Sequence, residues 1–311
     1  MRLRLRLRQR TSRCCGWMSS VPRMRIHHLS CGTLCPVGGR LMSERKCRPL
    51  RGALACHCLL IEAGQGLVLV DTGLGLLDMG NRRMDRFFRF QCKPLVTPEQ
   101  TAVRQVQRLG YSPRDVRHIV LTHLDFDHAG GLDDFPGAQV HLHVKEADAA
   151  SARRGLIARG RYRPEQWSSH DRWRLHREGG EPWFGFASVR NVGVPEVLLI
   201  PLVGHTWGHC GVAVARPGGG WLLHAGDAFF DRHELDSKNP RCKAGLRCYQ
   251  LQMEVDRRLR LWNQGRLRDL VRLHGDEVRV ICAHDPVQFE EWARRSPEQP
   301  LVAAPSGTAT L

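Results

Sequence analysis

Ten consecutive residues constrain this chain more than any other feature: Thr122-His123-Leu124-Asp125-Phe126-Asp127-His128-Ala129-Gly130-Gly131. They follow the apolar run Arg117–Leu121, which reads as a strand. Four residues able to ligate a metal, His123, Asp125, Asp127 and His128, fall within six positions. A turn leaving a strand end can bring such side chains to one point. Imidazole and carboxylate together suit a divalent ion. The glycine pair at Gly130 and Gly131 permits a tight exit with backbone close to the site.

The same arrangement recurs three times downstream. Gly204-His205-Thr206 follows the apolar run Val197–Val203, Gly226-Asp227 follows Trp221–Ala225, and His284-Asp285 follows Val278–Ala283. Each time a strand-like run ends in a His or an Asp. Further strands are expected at Arg25–Ser30, Cys56–Ile61, Leu67–Val70, Ala138–Val144 and Cys210–Ala215. Gly64-Gln65-Gly66 and Pro217-Gly218-Gly219-Gly220 read as hairpin turns. Thr97-Pro98-Glu99-Gln100 reads as a helix start, with helices to about Gly110, over Lys145–Ala158 and over Glu254–His274. Asn81–Phe90 reads as a loop or a short helix, and a short helix is expected after Asp285. Two groups of strands with helices between and after them predict a layered α/β fold with two packed sheets.

This set of residues resembles the metallo-β-lactamase-fold hydrolases, whose signature is His-x-His-x-Asp-His followed by single His, Asp and His ligands. Asp71-Thr72-Gly73, Gly204-His205-Thr206 with Gly208-His209, and Gly226-Asp227 match the subsidiary motifs in order, over roughly Arg25–Glu290. The resemblance implies a four-layer αβ/βα sandwich of two mixed β-sheets with helices outside. It implies two divalent metal ions, zinc first, with His123, Asp125 and His205 on one and Asp127, His128 and His284 on the other. Asp227 would bridge them, and Asp71 would orient a ligand from behind. One position departs: Asp125 stands where most members have His, which makes the site more anionic and moves it toward iron or manganese. Phe230 stands where lactone-hydrolysing members carry a Tyr, so a phenol that could donate to an oxyanion is missing.

The function implied is metal-dependent hydrolysis at the carbonyl of a small ester, a lactone (N-acyl homoserine lactones included) or a thioester. A hydroxide generated at the metal centre attacks, and Asp127 and Asp227 are the catalytic carboxylates. The alternatives are a nucleic-acid phosphodiesterase and a redox di-iron module of the same fold. Arg159–Phe186 breaks the pattern with Tyr162, Trp167, Trp173, Trp183, Phe184 and Phe186, and reads as an insertion or lid. Trp167, Trp173, Trp207 and Phe230 are the candidate substrate contacts.

The net charge is +16, and Arg outnumbers Lys 42 to 5. Residues 1–23 read as a basic, disordered extension, residues 24–295 as the hydrolase domain and 296–311 as a flexible tail. The remaining charge is spread without a basic patch interleaved with aromatics, so nucleic acid is disfavoured. No run approaches the about 18 apolar residues of a membrane helix, and residues 1–23 lack the apolar core of a secretory signal. The expected partner is a small-molecule substrate, with a homodimer left open. Twelve scattered cysteines in a chain of enzyme length read as reduced thiols in a cytoplasmic protein. Cys56-His57-Cys58 and the Cys31/Cys35 pair have no matching partner pair at zinc-finger spacing.

Overall fold

The computed structural model describes residues 24–81, 83–168, 170–189 and 192–295. The expected extension at 1–23 and the tail at 296–311 lie outside the described residues.

The first sheet is built from β1 (Arg25–Leu34), β4 (Leu54–Ala63), β5 (Gly66–Val70), β6 (Val116–Val120), β7 (Gln139–His143) and β8 (Trp173–His176), in that spatial order. A small ribbon of β2 (Lys46–Arg48) and β3 (Arg51–Gly52) precedes β4. From β1 to β5 the pairing is antiparallel, and from β5 to β8 it is parallel. The second sheet holds β9 (Val197–Pro201), β10 (Cys210–Ala215), β11 (Trp221–His224) and β12 (Val278–Ile281), in the order β12-β11-β10-β9. Only β11 and β12 are parallel there. Both sheets are therefore mixed.

The central strands are apolar on consecutive residues because both of their faces are covered. Leu59, Ile61, Val68, Val70 and Val120 pack between the sheets against Val197, Leu199, Val212, Val214, Leu222 and Ile281. The alternate residues Cys58, Leu60, Leu67, Leu69 and Ile119 face outward. There they meet Ala102, Val103 and Val106, and also Ala150. Beyond the second sheet, Leu198, Ile200, Leu223 and Val278 pack against Leu267 and Leu270. The result is the helix–sheet–sheet–helix sandwich that the sequence implies.

The helices are α1 (Arg86–Cys92), α2 (Ala102–Arg108), α3 (Val144–Ala152), α4 (Leu156–Arg161), α5 (Ala244–Met253), α6 (Arg257–His274) and α7 (Pro286–Arg295). Three departures from the sequence expectations bear on the site. The helix expected over Lys145–Ala158 is two helices, because Arg153 takes a left-handed conformation at φ 41° and ends the first. The helix expected to start at Glu254 starts at Arg257, where the Asp256 carboxylate accepts from Leu259 N at 2.9 Å and caps it. Its predecessor α5 has no counterpart in the sequence reading.

The third departure concerns Arg159–Phe186. This segment contributes α4 and the edge strand β8, and buries Trp183 and Phe186 in the outer core of the second sheet. Trp167 and Trp173 pack half-buried against the core outside the first sheet. The segment is thus built into the sandwich rather than laid over it as a lid. The expectation of reduced cysteines also fails at one pair: Cys35 and Cys47 form a disulfide, while eight other described cysteines are free. No helix among the described residues is long and apolar enough to cross a membrane.

Candidate metal centre

The seven proposed ligands leave the C-terminal ends of β6, β9, β11 and β12, and all seven are buried. They gather into two clusters. His123, Asp125, His205 and Asp227 form the first; Asp127, His128 and His284 form the second. Within each cluster the candidate ligand atoms lie within 4.8 Å of one another. Asp227 reaches both. Its Oδ2 is 3.3 Å from His205 Nε2 and 3.8 Å from His123 Nε2. Its Oδ1 is 3.1 Å from His284 Nε2 and 3.3 Å from His128 Nε2.

Backbone and buried polar groups fix each loop. Asp71 holds a left-handed conformation at φ 54°, a costly one for a residue with a side chain. Its carboxylate accepts from Thr122 N at 2.7 Å and from Thr122 Oγ1 at 2.8 Å. It also lies 2.8 Å from His128 Nδ1. Thr122 Oγ1 lies 2.9 Å from His123 Nδ1, and His284 Nδ1 lies 2.7 Å from Ala55 O. Each of the three imidazoles thereby donates through Nδ1 and keeps the Nε2 lone pair for the cluster. Gly130 has no room for a side chain, since a Cβ there would sit 2.1 Å from Asp78 Oδ2. Arg83 locks that exit by donating to Asp78 at 2.9 Å and to Gly130 O at 2.6 Å.

Of three supporting residues, Glu146 and Arg161 escaped the sequence reading, and His209 entered it only as part of a motif. Glu146, fully buried at the start of α3, accepts from Leu124 N at 3.0 Å, Thr206 Oγ1 at 2.5 Å and Gly208 N at 3.1 Å. It ties the His123–Asp125 loop to the His205 loop. His209 accepts from Asp227 N at 2.9 Å through Nε2 while its Nδ1 lies 3.0 Å from Leu202 O. The third is Arg161, the last residue of α4. Its guanidinium donates to both Asp125 oxygens at 2.7 Å and to His205 Nε2 at 2.7 Å. No local pattern marks Arg161 in a chain this rich in Arg. The Asp at 125 was the available signal, because an added buried carboxylate calls for a countercharge.

The electrostatics follow from burial and these neighbours. Burial opposes ionisation of Asp125, but Arg161 and His123 hold its carboxyl well below the usual range. Burial and Arg161 bring His205 down to about 4. Asp227 is likewise held low, against burial, by His284, His128 and His205. Burial pushes Asp127 up against the pull of His128 and His284.

His123 Nε2, Asp127 Oδ2, His128 Nε2 and Asp227 Oδ1 are buried without a hydrogen-bond partner. Orphaned donors and acceptors that face a common point are what a cation would satisfy. The second cluster, with Asp227, fits a metal ion on this ground. In the first cluster Asp125 and His205 already have a cationic partner. Of the candidate substrate contacts, Phe230 stacks on His284 with ring centroids 4.8 Å apart. Trp207 is 48% exposed and lines a separate cavity of about 800 Å³ with Trp262 and Arg266. Trp167 and Trp173 lie in the packing described above.

This fold and this constellation define a metallo-hydrolase scaffold. Residues 51–241 match the metallo-beta-lactamase superfamily, and the chain belongs to that family. A probable metallo-hydrolase of Mycobacterium tuberculosis is 41% identical over 272 residues, covering 86% of this chain and 83% of the relative. An N-acyl homoserine lactonase of Bacillus thuringiensis is 27% identical over 247 residues, covering 79% of this chain and 86% of the relative. Among solved structures, an N-acyl homoserine lactone hydrolase with N-hexanoyl-L-homoserine at its catalytic metal center superposes with a TM-score of 0.65. That structure is 24% identical, with 86% of this chain and 95% of that chain covered, and it shares the fold.

Proposed function

We propose that this chain is a metal-dependent hydrolase of small carbonyl substrates: lactones first, N-acyl homoserine lactones among them, then esters and thioesters. The observation that carries the reading is the set of buried, partnerless ligand atoms on His123, Asp127, His128 and Asp227. The lactonase relatives support the substrate class, and zinc is the first metal to test because one solved fold neighbour is a dizinc lactonase. A bound divalent ion supplies Lewis acidity and lowers the pKa of water. The protein's share is positional. Asp71 fixes the His128 tautomer, and the Ala55 carbonyl fixes that of His284. Asp127, raised by burial, is the carboxyl placed to hold or pass a proton to a leaving alkoxide. Phe230 offers a ring and no donor, so oxyanion stabilisation does not come from that side chain.

The test is hydrolysis of lactone, ester, thioester and phosphodiester substrates by protein stripped with a chelator and then reloaded with zinc, manganese or iron. Lactone or ester turnover that disappears on stripping and returns on reloading is expected. Unchanged turnover in metal-free protein would end this reading. Phosphodiester cleavage alone would replace the substrate class.

A further inference from the structure

We propose that Arg161 is a built-in cation in the place of a first metal ion, so that this chain holds a single divalent-metal site, formed by Asp127, His128, Asp227 and His284. The inference rests on the metal-dependent reading above and specifies its stoichiometry.

The argument begins with the hydrogen bonds of one guanidinium. Arg161 is 1% exposed, and its five N–H groups have five acceptors. Nε donates to Asp125 Oδ1 at 2.7 Å. Nη2 donates to Asp125 Oδ2 at 2.7 Å and to His205 Nε2 at 2.7 Å. Nη1 donates to Met253 O at 2.8 Å and to His205 O at 3.1 Å. A metal in the first cluster would need the single Nε2 lone pair of His205 that this group occupies, and would set a second positive charge beside the guanidinium on Asp125. Buried positive charge would then be left uncompensated, which is strongly unfavourable.

The Asp at 125 and Arg161 make sense as a pair. A carboxylate presents two oxygens that match the guanidinium fork, while an imidazole could accept only one such bond. Asp125 adds a negative charge to the cluster and Arg161 cancels it. The backbone secures the arrangement from both sides. Asp125 bridges to Tyr162, the residue after Arg161. Gly160 lets α4 lie against Phe88, because a Cβ at 160 would come 2.5 Å from the Phe88 ring. The second cluster has no such guanidinium: Asp127 Oδ2, His128 Nε2 and Asp227 Oδ1 stay without a hydrogen-bond partner.

The experiment is metal stoichiometry on the full chain. Chelator-stripped protein is titrated with Zn²⁺ and separately with Co²⁺, desalted, and its bound metal measured by elemental analysis. One equivalent per chain is expected for the unaltered protein, and two for Arg161→Ala, which frees Asp125 and His205. Arg161→Gln is the second variant should the alanine variant lose its far-UV circular dichroism. His284→Ala is expected to lose the single equivalent, and His205→Ala to retain it. Two tightly bound equivalents in the unaltered chain would overturn this inference while leaving the hydrolase reading standing. A folded Arg161 variant that still binds one would overturn it equally. No bound metal at all would bring down both.

Discussion

The two halves of the ligand set share Asp227 and differ in what completes them. The first half, His123, Asp125 and His205, closes on a guanidinium with every donor matched. The second half, Asp127, His128 and His284, leaves buried acceptors facing one another. Their supports differ as well. Glu146 braces the loops of the first half through Leu124, Thr206 and Gly208. Asp71 braces the second through His128, and by way of Thr122 it also reaches His123. One sandwich edge thus carries a network in which Asp125 and His205 are satisfied and His123 Nε2 alone is not, beside one that holds no guanidinium. The lesson is that residue types alone do not make a metal site; the charge already present around them decides.

The sharpest blow to both halves is Asp227→Ala, because its carboxylate lies against His205 of one and His128 and His284 of the other. It removes several kcal/mol of charge stabilisation, so lactone or ester turnover is expected to fall about 1000-fold or more. Turnover is measured at saturating zinc, and unchanged folding is checked by circular dichroism. Retained activity would show that the two halves do not act through their shared carboxylate.

Glu146→Ala separates the halves by stability. Three buried donors lose their acceptor, and the expected cost is about 3 kcal/mol in urea unfolding. Metal affinity in the second half should stay nearly unchanged, since no bond from Glu146 reaches it. Asp71→Asn works on the other half. It weakens the hold on the His128 tautomer, and zinc affinity is expected to drop about 10–100-fold in a competition titration with a chromophoric chelator. If the two variants exchanged these signatures, the assignment of supports would be wrong.

The meeting of the seven candidate residues could be read from the chain because each lies just past an apolar run: His123 to His128 after β6, His205 after β9, Asp227 after β11 and His284 after β12. Strand ends and donor chemistry are both local properties. The sandwich was readable for the same reason, since doubly buried strands are continuously apolar. Arg161 and Glu146 were not readable, because their partners lie far away in sequence: 36 positions for Arg161 and Asp125, 60 for Glu146 and Thr206. The left-handed turn at Arg153 that splits α3 from α4, and so aims Arg161 inward, has no Gly at that position to announce it. Strand β8 (Trp-Arg-Leu-His) is too short and too charged to declare itself without its neighbour β7.

The smallest expected effect lies behind the second half, where Arg83, Asp78 and Asp134 clamp the chain leaving His128. Asp134 accepts from Leu76 N at 3.1 Å, and burial raises its pKa to about 6. A carboxyl raised in the folded state is protonated there while the unfolded chain has already released its proton. The folded state therefore binds more protons between about pH 4 and 6, and stability falls as pH rises through that window. Asp134→Asn cannot release a proton and should flatten that part of the profile by on the order of 1 kcal/mol. Urea unfolding of both proteins at intervals from pH 4 to 7 reads the difference. A profile for the Asn variant that keeps the full slope would place the pH sensitivity elsewhere. A flattened slope with unaltered zinc affinity would show that the clamp stabilises the loop without tuning its ligands, in contrast to Asp71 on the ligands' other side.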